Sequence, residues 1–286
     1  MKASERRSVA DKLAWATLIA LAAWAGAPIV YLLLRAAAHH ETFSGGDSIF
    51  PGDQLQYLAW IRSSGEHGLA ADDFDLRGGG HVLLHPMFFL SGLLWRAGMG
   101  IALSYLVWLP VAVGVLFVGF RRYTRRMLRP AFAQTAALVL ALFFVTPANP
   151  LIGWTGRSVG LGILAGQLSP TGALDGYFPA AIAVGLMPLF ALCLEQIVEP
   201  GQRRSGRSQG WYVGWSAVLG MAVAWLHPWQ GETLLVLIGV LLVIRQFGKR
   251  HLPLLVPAVA RPLRSSTTTR SRRATSLGRL RSRSRQ

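Results

Sequence analysis

The stretch LAWATLIALAAWAGAPIVYLLL, residues 13–34, runs for 22 residues without a charged side chain. A helix needs about 20 such residues to cross the hydrocarbon core of a bilayer, because each residue adds about 1.5 Å. Lys2, Arg6, Arg7 and Lys12 precede the run, which is longer than the core of a signal peptide. We therefore predict a retained first transmembrane helix.

The composition of the whole chain indicates the same lipid environment. Of 286 residues, 52% are hydrophobic and 15% are charged, whereas roughly a quarter are charged in soluble proteins. Five further apolar runs cover residues 101–120, 131–148, 177–198, 211–227 and 229–244. We predict an all-α, polytopic bundle of about six transmembrane helices within a single transmembrane domain, residues 1–260.

Basic loops between these runs set the predicted orientation. They are RRYTRRMLR at 121–129, GQRRSGR at 201–207 and RQFGKR at 245–250. Cytoplasmic loops carry the excess of Lys and Arg, so we predict a multi-pass protein of the cell membrane with a cytoplasmic N-terminus. If the apolar stretch 82–95 were a further span, the basic residues 121–129 would lie on the side opposite the cytoplasm, against the charge bias. That stretch is also short, so we predict an interfacial or re-entrant helix there.

The net charge of +16 resides largely in the C-terminal tail. Residues 261–285 hold nine arginines and no acidic residue, which leaves seven net positive charges for the rest of the chain. We therefore predict no nucleic-acid partner. Residues 261–286 cannot bury a core, and we predict a basic disordered tail. A second interpretation is that the coding frame shifts near Ala260 and interrupts a seventh helix, so that the chain is a fragment of a longer enzyme.

The predicted first outer loop, residues 35–81, concentrates the acidic side chains. Seven of the thirteen acidic residues lie there: Glu41, Asp47, Asp53, Glu66, Asp72, Asp73 and Asp75. Long loops between regular elements are usually functional. We therefore expect any chemistry of this protein to lie on the side opposite the cytoplasm.

The segment FPGDQLQYLAWIRSSGEHG, residues 50–68, predicts an amphipathic helix along the membrane surface. Leu55, Leu58 and Ile61 recur at helical spacing, and Gly65 or Gly68 is expected to end the helix. Its polar residues are the ones that could meet a substrate at the level of the lipid headgroups.

Asp53 and Tyr57 are four residues apart, so they share one face of this helix, and Trp60 lies near them. A carboxylate at the headgroup level could meet a lipid-linked substrate. The alternative is that Asp53 serves only as the N-cap of the helix.

A long outer loop after the first helix, with an acidic residue in a D-E-x-x-Y-like setting, resembles the GT-C membrane glycosyltransferases. The matching residues are Asp53, Gln54 and Tyr57. The resemblance implies that Asp53 is the catalytic base, which deprotonates the acceptor or holds a metal. It also implies a polyprenyl-phosphate-linked sugar as the donor. Because Gln54 stands where many members have a second acid, we predict no metal cofactor.

Three further residues are candidates for binding the substrate. Arg157, in NPLIGWTGRSVG, could bind the donor phosphate or anchor the chain among headgroups. His227 and Trp229 lie in the predicted outer turn HPWQGE. The indole could stack on a sugar ring or simply anchor in the interface.

The alternative function is that of a non-catalytic polytopic membrane protein, either a transporter or a component that handles lipid or glycan carriers. Transporters place polar groups within their spans near the midplane of the bilayer. Here Glu195 is the chief intramembrane exception, and it lies close to the predicted cytoplasmic end of its helix. The scarcity of such residues favours the enzyme with an outer-loop site.

Overall fold

The computed structural model describes residues 3–43, 45, 51–71, 80–143, 170–198 and 208–244, and most of them are α-helical. The helices are α1 (Ala3–Ala38), α2 (Pro51–His67), α3 (Pro86–Arg96), α4 (Ile101–Leu106), α5 (Trp108–Met127), α6 (Ala131–Phe143), α7 (Pro170–Ala173), α8 (Phe178–Val198), α9 (Gln209–Leu226) and α10 (Pro228–Ile244). An antiparallel ribbon of β1 (Ala70–Ala71) and β2 (His81–Leu83) follows α2. The ribbon was not predicted, because strands this short show no alternation of side chains.

Three helical segments are long and apolar enough to cross a membrane: Val9–Ala38, Ile101–Met127 and Phe178–Val198. They coincide with the predicted first, second and fourth spans. The apolar helices α6 and α10 are shorter. The described chain is therefore mostly helical and has three helices that are long and apolar enough to span a membrane, and the count of six spans stays a prediction.

Ion pairs join the three long helices at one end. Asp11 of α1 accepts hydrogen bonds from Arg121 at 2.9 Å and Arg125 at 2.5 Å, both on α5. Arg126 binds both carboxylate oxygens of Glu195 on α8, at 2.9 and 2.6 Å. The start of α1 and the ends of α5 and α8 thus lie together. The predicted intramembrane acid is paired with an arginine.

Glycines allow the long helices to approach closely. A methyl group on Gly119 of α5 would overlap the carbonyl oxygen of Gly185 on α8, and one on Gly185 would lie 2.7 Å from the amide nitrogen of Leu116. Small residues of this kind let helix backbones touch, which favours association inside a membrane. The α5–α8 crossing therefore depends on backbone contact.

Glycines also allow α2 and α3 to pack closely against each other. A methyl group on Gly65 would lie 2.6 Å from the ring of Trp95, and one on Gly92 would lie 2.8 Å from the carbonyl oxygen of Ile61. Gly65 accordingly stays inside α2. The helix ends at His67, before Gly68, whose φ of 80° is one that glycine adopts without strain.

The buried face of α2 differs from the predicted stripe at its first position. Leu58 and Ile61 are buried as the spacing predicts, but Leu55 is 59% exposed and Gln54 is buried in its place. The Gln54 amide donates to the carbonyl oxygen of Asp175, 3.5 Å away. The buried face of α2 therefore includes a polar contact to the segment before α8.

Candidate functional site

Asp53 lies in the first turn of α2, where its side chain is exposed. It is the third residue of the helix, so it does not stand before the helix as an N-cap would. Its Oδ2 atom accepts a hydrogen bond from the hydroxyl group of Tyr177. A negative charge in a first helical turn is favourable, because the amide groups there point toward it.

The segment just before α8 delivers the Tyr177 hydroxyl to Asp53. Tyr177 is 3% exposed. The carbonyl oxygen of the preceding Gly176 accepts a hydrogen bond from Tyr105 of α4, and the carbonyl oxygen of Asp175 accepts one from Gln54. The backbone on the N-terminal side of Tyr177 is thus held by α2 and α4, which gives the phenol a defined position.

Aromatic rings surround Tyr57, one turn after Asp53. The ring centroids nearest to that of Tyr57 belong to Phe88 at 5.2 Å, Tyr105 at 5.9 Å, Trp60 at 6.0 Å and Tyr177 at 6.2 Å. Burial, and secondarily the charge of Asp53, raise the pKa of Tyr57 well above its ordinary value. Its phenol therefore stays protonated, and the predicted trio of Asp53, Tyr57 and Trp60 forms one cluster.

The turn between α9 and α10 is tied to the segment before α3. The Trp225 indole donates to the carbonyl oxygen of Leu84 at 2.7 Å, and His85 Nε2 lies 3.1 Å from the carbonyl oxygen of Leu226. The His85 ring stacks on Phe88, with centroids 4.1 Å apart. Since Phe88 also packs on Tyr57, the turn is connected to the aromatic cluster through His85 and Phe88.

His227 lies within this turn and is largely buried. Burial lowers the pKa of His227 to about 4, so its imidazole is neutral near pH 7, and Nδ1 donates to the Oε1 atom of Gln230. His85 and Phe88 stand between the turn and Tyr57, so the structure does not bring His227 directly to Asp53. Trp229 is 69% exposed, which suits an anchor in the interface.

Arg157 lies outside the described residues. Arg62, a second arginine of the predicted outer side, lies on α2 and binds Glu66 at 2.9 Å. Within the ranges that the structure covers, no three His, Cys, Asp or Glu side chains are grouped so that they could hold a metal ion.

Sequence reasoning missed Tyr177 and Tyr105, and it missed the contact that Gln54 makes with Asp175. The Tyr177 phenol is 124 positions from Asp53 in the chain, and no local spacing reveals such a pair. One signal was present: Tyr177 is a hydroxyl-bearing aromatic at the start of a predicted span, on the same predicted side of the membrane as Asp53.

Comparison of the chain with protein-family models, with curated proteins and with solved structures found no match. The chemistry of the site is therefore argued from its own side chains. These are an exposed carboxylate, a phenol that donates to it and a wall of aromatic rings beside them.

Proposed function

We propose that this protein is a GT-C-like membrane glycosyltransferase, which transfers a sugar from a polyprenyl-phosphate-linked donor with Asp53 as the catalytic base. The observation that supports this is the state of the Asp53 carboxylate. Oδ2 accepts the Tyr177 hydroxyl, and no group in the described part of the chain donates to Oδ1. One oxygen is held and the other is available to a substrate.

The proposed reaction is a single displacement at the anomeric carbon. Oδ1 of Asp53 takes the proton of an acceptor hydroxyl while the hydroxyl oxygen bonds to that carbon. The bond from the carbon to the phosphate oxygen breaks, and its electron pair leaves with the polyprenyl phosphate. One base acting without a covalent intermediate inverts the configuration at the anomeric carbon, so inversion is the expected stereochemistry.

The aromatic cluster suits the sugar that such a donor carries. Tyr57 and Trp60 are partly buried on the same helix as Asp53. An aromatic face can pack against the apolar face of a sugar while the sugar hydroxyls stay solvated. In this proposal Arg157 binds the donor phosphate, and His227 and Trp229 maintain the turn behind the cluster.

The position of the site along the bundle supports action at the outer membrane face. Tyr177 precedes α8, whereas Glu195 lies near its other end, about 25 Å away at 1.5 Å per residue. That distance approaches the thickness of a hydrocarbon core. Because the end near Glu195 carries the arginine-rich stretch 121–129, the bias of basic residues predicts that this end faces the cytoplasm, which would put Asp53 on the outer side.

Asp53→Asn tests the proposal. Membranes from expressing cells would be supplied with a panel of radiolabelled polyprenyl-phosphate sugars, and transfer to endogenous acceptors measured. We expect transfer by the wild-type protein and a loss of about 10²- to 10⁴-fold in the variant, the usual worth of a general base. Glu66→Gln is the matched control, because it neutralises another exposed carboxylate of α2 and should leave transfer unchanged.

Two results would count against the proposal. Unchanged transfer by Asp53→Asn at equal membrane content would remove Asp53 as the base. A wild-type protein that binds the polyprenyl carrier but transfers no sugar from the panel would instead indicate the carrier-handling function.

A further inference from the structure

One face of α5 changes from apolar to cationic within a single turn. Val111 and Val118 are 42% and 41% exposed, and the next exposed positions on that face are Arg122 and Arg125. The spacings of seven, four and three residues place all four side chains in one stripe. Arg129 follows the end of the helix and is also exposed. Lipid-facing valines therefore lead directly into arginines.

The arginines outnumber the carboxylates that face them. We call this group the arginine end: Arg121, Arg122, Arg125, Arg126 and Arg129. Its carboxylate partners are Asp11, shared between two arginines, and Glu195, which binds one. Within the described ranges Arg122 and Arg129 have no carboxylate partner. Counting only the side chains that the structure describes, the arginine end therefore carries a net positive charge on its exposed side.

Aromatic side chains flank the arginine end at the same level. Trp15 of α1 is 56% exposed, and its ring centroid lies 5.9 Å from the guanidinium carbon of Arg121. Phe132 of α6 is 79% exposed, three residues after Arg129. Aromatic rings concentrate where hydrocarbon meets headgroups. The boundary between valine and arginine on α5 therefore lies at the headgroup level.

We propose that Arg122, Arg125 and Arg129 bind the phosphate of an anionic phospholipid, whose acyl chains lie along Val111 and Val118. A guanidinium group offers several N–H donors in a planar fork that matches phosphate oxygens. Free phosphate would use the arginines alone, whereas a phospholipid also uses the apolar stripe beneath them. The continuity of the two surfaces identifies a lipid as the ligand, and the site is independent of the chemistry at Asp53.

The test is native mass spectrometry of the full-length protein released from detergent with equal amounts of phosphatidylglycerol and phosphatidylcholine. We expect the wild-type protein to retain phosphatidylglycerol preferentially. The double variant Arg122→Gln/Arg129→Gln, which removes two arginines at the headgroup level, should reduce that preference by about thirtyfold. Arg62→Gln, which changes an exposed arginine near the other end of the bundle, should leave it unchanged.

Three outcomes would overturn the proposal. These are equal retention of both lipids by the wild-type protein, an equal loss in Arg62→Gln, and displacement of phosphatidylglycerol by inorganic phosphate at matched ionic strength. If the double variant does not insert into the membrane, phospholipids with brominated acyl chains test the site in the wild-type protein and in Trp15→Phe. The fluorescence of Trp15 is obtained as the difference between the wild-type protein and Trp15→Phe. Brominated phosphatidylglycerol should quench this fluorescence more strongly than brominated phosphatidylcholine does. Equal quenching by the two lipids would contradict the site.

Discussion

The two ends of the helix bundle hold their carboxylates in opposite ways. At the arginine end, Asp11 and Glu195 are bound by guanidinium groups from a neighbouring helix. At the other end, Asp53 is exposed and accepts a hydrogen bond from Tyr177, a neutral phenol. A carboxylate that is neutralised by arginine serves to join helices. One that is positioned by a phenol keeps its charge available for a ligand.

The largest effect on stability is expected from breaking the arginine end with Glu195→Ala. Arg126 and Glu195 are only about one-fifth exposed, so the variant removes the carboxylate that binds the Arg126 guanidinium in a poorly hydrated place. We expect a loss of about 3 kcal/mol in unfolding free energy, at the low end for a buried pair. Thermal unfolding in detergent measures it.

The matched control for this prediction is Glu66→Ala. Its pair with Arg62 is 40–66% exposed, so its removal should cost well under 1 kcal/mol. Equal losses in the two variants would show that the Arg126–Glu195 pair does not hold the long helices together.

A pH effect is expected at the turn behind the Asp53 cluster. Burial lowers the pKa of His227 to about 4 in the folded protein, against about 6.5 when the chain is unfolded. The unfolded state therefore binds more protons between these values, and stability should fall as the pH is lowered from 6.5 toward 4. At pH 5 the loss is about 2 kcal/mol.

The pH effect is isolated by subtracting the unfolding temperatures of His227→Asn from those of the wild-type protein across this range. The difference should be constant above pH 7 and decline below it. A difference that does not change with pH would mean that His227 is not buried in the neutral form.

The smallest expected effect sharpens the comparison at Asp53 itself. Tyr177→Phe removes the hydroxyl group and keeps the ring, so we expect a loss of about 1.5 kcal/mol in stability, the low end for a hydrogen bond to a charged group. Sugar transfer should fall about tenfold, mainly in kcat, because the carboxylate is no longer held in one orientation.

Tyr105→Phe is the companion variant for Tyr177→Phe. It also removes a phenol hydroxyl, but one that donates to a backbone carbonyl and not to Asp53. A smaller effect on transfer than that of Tyr177→Phe is expected, and equal effects would show that the Tyr177 hydroxyl acts only through packing.

The sequence could predict what depends on local spacing. The four-residue interval placed Asp53 and Tyr57 together, and apolar runs located the three long helices. It could not predict the Tyr177 contact, because that contact depends on how α2 and α8 pack in three dimensions. The exposed position of Leu55 has the same origin, since the rotation of α2 depends on its packing against α3 and on the contact between Gln54 and Asp175.

The contact between Gly119 and Gly185 has a mechanical consequence. No side chain separates the backbones of α5 and α8 at this crossing. Neither helix can slide along the other without a carbonyl oxygen colliding with the facing helix. We therefore expect α5 and α8 to tilt together as one rigid unit. A displacement of α5 at the arginine end is then also expected to move the start of α8, next to Tyr177 and its hydrogen bond to Asp53.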